Sequence, residues 1–169
     1  MLRGLTGVPR VLIIAGDWTA SADAGGVDAD DVVARLRDTT LVSIAALAGD
    51  ITGPALRLAL ACTLRVAAPG TALRVREVVE GTVPAPDVLA ELRSVLGAAG
   101  ALELAATGRA LGVGEAADRG LVFAGTEADA RDLAAAILAA PDDAVRATVA
   151  TLRAAGAEHP ASRGMLHDR

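Results

Sequence analysis

The side chains that most often carry nucleophilic or metal chemistry are scarce in this sequence. Cysteine occurs once, at Cys62, so the chain forms neither an internal disulfide nor a cysteine metal cluster. The two histidines, His159 and His167, both lie near the C-terminus. We therefore expect no histidine metal site and no Ser-His-Asp triad, and Ser21 has no histidine near it in the sequence to activate it.

One charged residue stands out because of its surroundings. Residues 53–62 are apolar at every position except Arg57, which predicts a buried helix with a single guanidinium on it. A buried charge needs a partner. Three roles for Arg57 stay open: a structural ion pair, bidentate binding of an anionic group on a substrate, or an outward, solvated orientation.

Composition limits the classes of protein that this chain can belong to. Its 169 residues suffice for one domain, and a core that is 53% apolar but only 1% aromatic must be built from Ala, Val, Leu and Ile. A net charge of -5 argues against a nucleic-acid surface. No apolar run reaches the roughly 18–20 residues of a membrane span, and residues 1–7 lack a signal-peptide core. We expect a soluble, cytoplasmic protein.

Hydrophobic patterning predicts alternating strands and helices. Strands are predicted at residues 11–15, 41–47, 64–67, 72–75 and 121–123. Helices are predicted at residues 28–37, 53–62, 86–96, 98–106, 126–139 and 141–155. This alternation predicts an α/β fold with right-handed crossovers, in a single domain over residues 1–155 followed by a polar tail over 156–169.

The most specific pattern lies between residues 107 and 122. It consists of Thr-Gly-Arg at 107–109, Glu-Ala-Ala at 115–117 and Gly-Leu-Val at 120–122. This run resembles the crotonase family, the enoyl-CoA hydratase/isomerase superfamily. The resemblance covers about residues 11–155 and implies a spiral of ββα turns with C-terminal helices. It also implies homotrimers or hexamers, since the family's C-terminal helices pack on neighbouring subunits.

The resemblance assigns candidate residues to the thioester site. Residues 18–23 are similar to the family's Phe-Ser-Ala-Gly-Ala-Asp run, which implies that Ala22 donates its backbone N–H to the thioester oxygen. Ala20 and Asp23 would lie in the same ligand-binding loop. The second oxyanion donor of the family is a glycine at a helix start; Pro54 stands there and has no N–H. Two alternatives stay open: Pro54 is simply a good first helical residue, or a shift of one residue puts Gly53 in the role.

The resemblance also locates the two glutamates that the hydratases use. The first position is Arg57, and the second is Glu77, twenty residues later. Arginine stays protonated and cannot exchange protons as a carboxylate does. Glu77 is therefore the candidate base, and an Arg57–Glu77 ion pair is the favoured role for Arg57. The family's Gly-x-Gly-Gly, where the acyl chain passes, has become Ala-Pro-Asp-Val at 85–88.

The family's first strand pair and helix, which normally help to bind the CoA nucleotide, have no counterpart before Val11. The resemblance therefore implies a degenerate family member that needs no cofactor and has an acyl-CoA or a carrier-protein thioester as its possible ligand. We expect an accessory subunit in secondary metabolism, for example one that assists a polyketide synthase, either as a homo-oligomer or with a biosynthetic enzyme. Two alternatives stay open: a working hydratase, dehydratase or isomerase with Glu77 as base, and an assembly platform without ligand. Neither nucleic acid nor membrane is an expected partner.

Overall fold

The computed structural model describes residues 11–18, 29–38 and 40–157. Its strands are β1 Val11–Ile14, β2 Val42–Leu47, β3 Asp50–Thr52, β4 Leu64–Ala67, β5 Ala72–Arg74, β6 Leu111–Gly112 and β7 Phe123–Ala124. Its helices are α1 Ala29–Asp38, α2 Gly53–Ala61, α3 Pro86–Thr107, α4 Val113–Asp118, α5 Glu127–Ala139 and α6 Asp142–Ala157. The predicted α/β class and C-terminal helices are confirmed.

The strands form two sheets, and successive turns of the spiral contribute strands to both sheets. One sheet has the order β1-β2-β4-β7 with parallel pairs, and the other has the order β3-β5-β6. Within the second sheet β3 and β5 are parallel, and β5 and β6 are antiparallel. The chain thus passes from one sheet to the other and then into a helix twice, as β2-β3-α2 and β4-β5-α3, which is the expected ββα repeat.

The core has two parts, separated by the first sheet. β2 is buried along its whole length, and its alternate side chains face opposite sides of the sheet. Ala45 and Leu47 join the larger cluster with α1, α2 and α3, whereas Ile44 and Ala46 join a smaller cluster under α5 and α6. A strand that is covered on both faces reads as a continuous apolar run, and this is the reason that the sequence identifies it clearly.

Several predicted elements differ from the structure in their details. β1 was expected to be buried, but it lies at the edge of its sheet, and Leu12 is exposed. The strands β4 and β5, close in sequence, belong to different sheets. The sequence patterns missed β3 and β6, which have only three and two residues, too few to show a periodicity.

The longest helix is two helices joined at a glycine, as the sequence predicted. Gly97 has φ 73° and ψ 168°, which is not helical, and it divides α3 into two segments. Gly108 ends the second segment in the left-handed conformation, with φ 61° and its N–H bonded to the Leu104 carbonyl. The α3 helix therefore turns near its middle and ends at a defined residue, which fixes where the Thr-Gly-Arg run is presented.

Candidate active site

The start of α2 is shaped by a glycine followed by a proline. Thr52 is still extended, and Gly53 has φ +53°, so regular right-handed helix begins at Pro54. A β-carbon on Gly53 would meet no atom within 4 Å, so glycine is needed here for its backbone conformation rather than for space. Pro54 therefore occupies the first turn of α2 and presents no N–H there.

The other half of the expected oxyanion site lies outside the described residues. Ala20, Ala22 and Asp23 all fall in the 19–28 gap. Trp18, directly before this gap, is buried and donates its indole N–H to the Ala46 carbonyl at 2.7 Å. Trp18 is thus a core residue, while the pairing of Ala22 with either Pro54 or Gly53 stays a prediction.

Arg57 does not pair with Glu77, so this prediction is wrong. Its Nε lies 2.9 Å from Oδ2 and 3.2 Å from Oδ1 of Asp87, and its Nη1 binds the Asp30 carboxylate. Asp87 reaches Arg57 because it lies in the first turn of α3, which packs beside α2. Hydrogen bonds to Asp87 and then to Asp30 raise the pKa of Arg57 above its usual value.

Asp87 is the centre of a small charged cluster, which we call the α1–α2–α3 ion cluster: Asp30, Arg37, Arg57 and Asp87. Arg37 Nη2 lies 3.6 Å from Asp87 Oδ2. Burial pushes the pKa of Asp87 upward, but the hydrogen bond and charge of Arg57 outweigh it, so the pKa of Asp87 is lowered. Asp87 stays ionised near neutral pH and holds three helices together.

The family resemblance places both members of this pair at positions of its pattern. It puts Arg57 at the first glutamate and Asp87 at a glycine of the Gly-x-Gly-Gly run. Each change alone brings an unpaired charge, whereas the two together supply a cation and an anion. In the structure this cation and this anion are in contact although thirty residues separate them.

Glu77 lies in a tight turn that follows β5. The Glu77 carbonyl accepts hydrogen bonds from the Thr82 N–H at 2.7 Å and from the Thr82 hydroxyl at 3.1 Å. The nearest cation in sequence, Arg76, is bound by Glu80 at 2.8 Å instead. The Glu77 backbone is therefore held firmly, and its side chain is left without that cation.

The Glu77 carboxylate has a buried oxygen that accepts no hydrogen bond from the residues that the structure describes. This oxygen is Oε2, and the side chain as a whole is half-buried. Buried carboxylate oxygens are normally hydrogen-bonded, so an orphaned one in a native fold calls for a functional explanation. The arrangement suits a group that accepts a proton from a ligand carbon or hydroxyl.

An apolar groove of about 400 Å³ begins at the residue after Glu77. Its walls come from the turn after β5 and from both segments of α3: Val78, Val83, Pro84, Leu89, Arg93, Ala98, Ala101, Leu102, Ala105 and Ala106. Val83 and Leu102 are among the most exposed large apolar side chains that the structure describes. Neither Glu77 nor Arg57 lines this groove, so it adjoins the turn of Glu77 without containing the two candidate residues.

The Thr-Gly-Arg and Glu-Ala-Ala runs meet through Arg109. Its Nε lies 2.6 Å from Glu103 Oε1, and its Nη2 lies 2.7 Å from Glu115 Oε1. Glu103 is on α3 and Glu115 on α4, so one guanidinium joins the two helices. The hydrogen bonds of Arg109 lower the pKa of both carboxyls. We infer that the most recognisable run of the sequence has a structural role.

Other chemistries find little support in the part of the chain that the structure describes. No group of three or more potential metal ligands comes together among residues 11–18, 29–38 and 40–157. Burial raises the pKa of the Cys62 thiol to about 11, which makes it a poor nucleophile. Among the helices described, none is both long and apolar enough to cross a membrane.

A family model for enoyl-CoA hydratase/isomerase matches residues 15–165 of the 169-residue chain. The chain belongs to this family. The match confirms the crotonase resemblance seen in residues 107–122, and the two-sheet spiral is the fold that the resemblance implied.

Among curated proteins, a probable enoyl-CoA hydratase of Mycobacterium avium (strain 104) is 34% identical over 115 residues. That alignment covers 68% of this chain but only 44% of the relative. The chain therefore spans less than half of the length of this relative, and the activity of the whole relative is not carried over by the match.

Two solved structures of a candidate enoyl-CoA hydratase from Thermobifida fusca YX resemble this fold. The one in complex with CoA is 31% identical, with a TM-score of 0.72 over 87% of this chain and 68% of the other. The one in complex with acetoacetyl-CoA is 33% identical, with a TM-score of 0.67 over 79% and 57%. Both family members were thus solved with ligands that contain CoA.

Proposed function

We propose that this crotonase-family chain binds acyl thioesters weakly, has lost hydration chemistry, and acts mainly as an accessory subunit. The observation that carries the proposal is the engagement of Arg57 by Asp87 and Asp30. Hydration needs one carboxylate to activate water and a second acid to protonate the substrate carbon. Arg57 stands at the position of one of these groups and remains a cation that is bound to two carboxylates.

The start of α2 supports the same conclusion independently. If Pro54 aligns with the second oxyanion donor, the thioester oxygen receives one backbone N–H fewer. Removal of one such donor typically lowers the rate by about 10²–10³. Two separate losses, of an acid and of an amide, are more consistent with an accessory role than with an efficient hydratase.

The proposed accessory role includes assembly with other chains. We propose a homotrimer or hexamer, or a hetero-oligomer with a biosynthetic enzyme such as a polyketide synthase. The exposed apolar side chains Phe123, Leu138 and Leu152 support a protein partner. Its ligand would be an acyl-CoA or a carrier-protein thioester, as in the CoA complexes of the Thermobifida fusca relative.

A second candidate function is isomerisation of an enoyl thioester, and the orphaned Oε2 of Glu77 favours it. Isomerisation needs only one carboxylate. Glu77 would take a proton from C2 of a 3-enoyl thioester, the double bond would move to C2–C3, and the same proton would return at C4. An N–H from Ala22 would stabilise the enolate oxygen during the transfer.

The decisive experiment titrates the protein with crotonyl-CoA in a calorimeter and follows hydration of crotonyl-CoA and isomerisation of a 3-enoyl-CoA. We expect weak binding and no hydration. Isomerisation that is lost in Glu77→Gln would favour the second candidate. The matched control is Glu80→Gln, since Glu80 is an exposed carboxylate in the same turn. Hydration that depends on Glu77 would contradict the proposal, and so would a complete failure to bind thioester.

A further inference from the structure

Arg37, in the last turn of α1, carries two buried N–H groups that have no acceptor in the part of the chain that the structure describes. Its Nε and Nη2 atoms are buried and make no hydrogen bond. These two nitrogens form one edge of the guanidinium, the edge that binds two oxygens of a carboxylate or phosphate side by side. An unsatisfied pair of charged donors in a native fold calls for an explanation.

The carboxylate nearest to this edge is committed to another cation. Asp87 Oδ2 lies 3.6 Å from Arg37 Nη2, beyond a normal hydrogen bond, but only 2.9 Å from Arg57 Nε. The remaining carboxylate of the ion cluster, Asp30, binds Arg57 as well. Arg37 therefore interacts with Asp87 only at longer range, and both carboxylates of the ion cluster bind Arg57 more closely.

Further cations surround the same place. Arg153, on α6, donates from Nη1 to the Arg37 carbonyl at 2.7 Å. Arg65 lies close enough to Arg37 that the two repel, and it is bound by Glu91 at 3.4 Å. Guanidinium groups from α1, α2, β4 and α6 thus converge on a region where Asp87 and Glu91 are the partly buried acids.

We propose that the Nε–Nη2 edge of Arg37 is an oxyanion-binding site, with a carboxylate or a phosphate group as its ligand. The Arg37 side chain is 34% exposed as a whole, but its Nε and Nη2 atoms are shielded, so an anion that binds this edge must displace the groups that cover it. Hydrogen bonds to a shielded, charged edge are stronger than those at a fully solvated surface. The chain has a net charge of -5, so the protein as a whole is not expected to attract anions.

The experiment follows the side-chain Nε–Hε resonance of Arg37 by ¹⁵N NMR while inorganic phosphate or glutarate is added. Sodium chloride keeps the ionic strength constant. We expect a saturable shift with at least one of the two ions, and the ion that gives it identifies phosphate or carboxylate as the ligand. Isothermal titration calorimetry compares the variants, since those without Arg37 lack this resonance. Arg37→Gln should weaken that binding at least about tenfold, since two charge-assisted hydrogen bonds are lost.

Arg35→Gln is the matched control because Arg35 is exposed on the same helix and loses the same charge. It should leave the affinity nearly unchanged. Arg37→Lys keeps the charge but not the two-donor edge, so it should also weaken binding, and it provides a second test if Arg37→Gln fails to fold. The proposal is overturned if neither ion gives a saturable shift. Equal weakening in Arg35→Gln and Arg37→Gln would overturn it too, because it would indicate general electrostatics.

Discussion

At Pro54 a single ring both starts a helix and removes a donor. Its fixed φ suits the first turn of α2, and Gly53 supplies the positive φ that connects this turn to β3. The structural role is visible in the geometry. The missing N–H affects catalysis only if a thioester oxygen binds at the start of α2. A substitution at Pro54 tests whether it does.

We expect Pro54→Gly to restore an N–H at the start of α2 and to strengthen thioester binding or turnover, by up to about 10²–10³ in rate if the amide reaches the oxyanion. The greater freedom of glycine in the unfolded chain should lower stability by about 0.4–1 kcal/mol. Calorimetry and turnover assays measure the first effect, and urea unfolding measures the second.

Pro141→Gly is the matched control, since Pro141 stands directly before α6 and its carbonyl accepts the Val145 N–H. It should cost similar stability and leave thioester binding unchanged. If Pro54→Gly changes stability alone, Pro54 is a helix starter and no more.

At the scale of elements, Arg57 connects α2 with the first turn of α3 and with α1. Both side chains of the Arg57–Asp87 pair are largely shielded, with exposed fractions of 30% and 24%. A shielded pair is costly to break because the remaining charge loses its partner. Substitutions at Arg57 and Asp87 should therefore be energetically coupled.

We expect Arg57→Glu to destabilise the fold, because the new carboxylate would face Asp87 and Asp30. Arg57→Glu combined with Asp87→Gly should recover much of the loss, with a coupling of about 0.5–3 kcal/mol in a double-mutant cycle. Chemical denaturation of the four proteins measures it. Strict additivity of the two single effects would show that the contact contributes little.

Arg109 links α3 with α4 through its ion pairs with Glu103 and Glu115, and these ion pairs are sensitive to acid. A carboxyl whose pKa is lowered in the folded state adds stability that is complete above its ordinary pKa, here 4.5, and is lost as the pH falls through the lower folded-state value. Glu103 and Glu115 are both in this situation, so the contribution of Arg109 should be present at neutral pH and disappear in acid.

We therefore expect Arg109→Met to lower the melting temperature at pH 7. The difference in melting temperature between this variant and the unsubstituted protein should become smaller below about pH 4.5. Differential scanning calorimetry over a pH series measures it. Arg131→Met, which removes only an exposed pair with Glu127 inside α5, should have the smaller effect at pH 7. Equal effects of the two substitutions on the melting temperature would refute a role for Arg109 in linking α3 with α4.

At the scale of the whole molecule, apolar side chains remain exposed on more than one face. Leu152 on α6 and Leu102 on α3 have nearly equal exposed fractions, 68% and 69%. Large apolar side chains in contact with water often mark a protein interface. The family resemblance places neighbouring subunits against the C-terminal helices, which makes Leu152 the expected contact.

We expect light scattering to give a mass three or six times the chain mass of 16.9 kDa. Leu152→Glu should reduce the measured mass to that of a single chain. Burial of a new carboxylate in an apolar contact is the physical cause. Leu102→Glu is the matched substitution, with equal exposure on another face. If only Leu102→Glu dissociates the oligomer, the subunit interface includes the apolar groove and not Leu152. An unsubstituted protein that is monomeric would contradict the proposed homo-oligomer.

How far the sequence predicted the fold depended on the length of each element. The run from Val42 to Leu47 was readable because both of its faces are buried, and Gly97 and Gly108 marked the break and the end of α3. β3 and β6 were not readable, because two or three residues become a strand only when a neighbouring strand supplies hydrogen bonds.

The sequence by itself determined the family and the order of the main helices and strands. These properties depend on residue type and local pattern. Only the tertiary structure decided the partner of each charge: Asp87 for Arg57, no partner for the buried oxygen of Glu77, and both Glu103 and Glu115 for Arg109. The physical reason is that an ion pair is selected by distance in space, and for Arg57 and Asp87 the packing of α2 against α3 sets that distance across thirty residues of sequence.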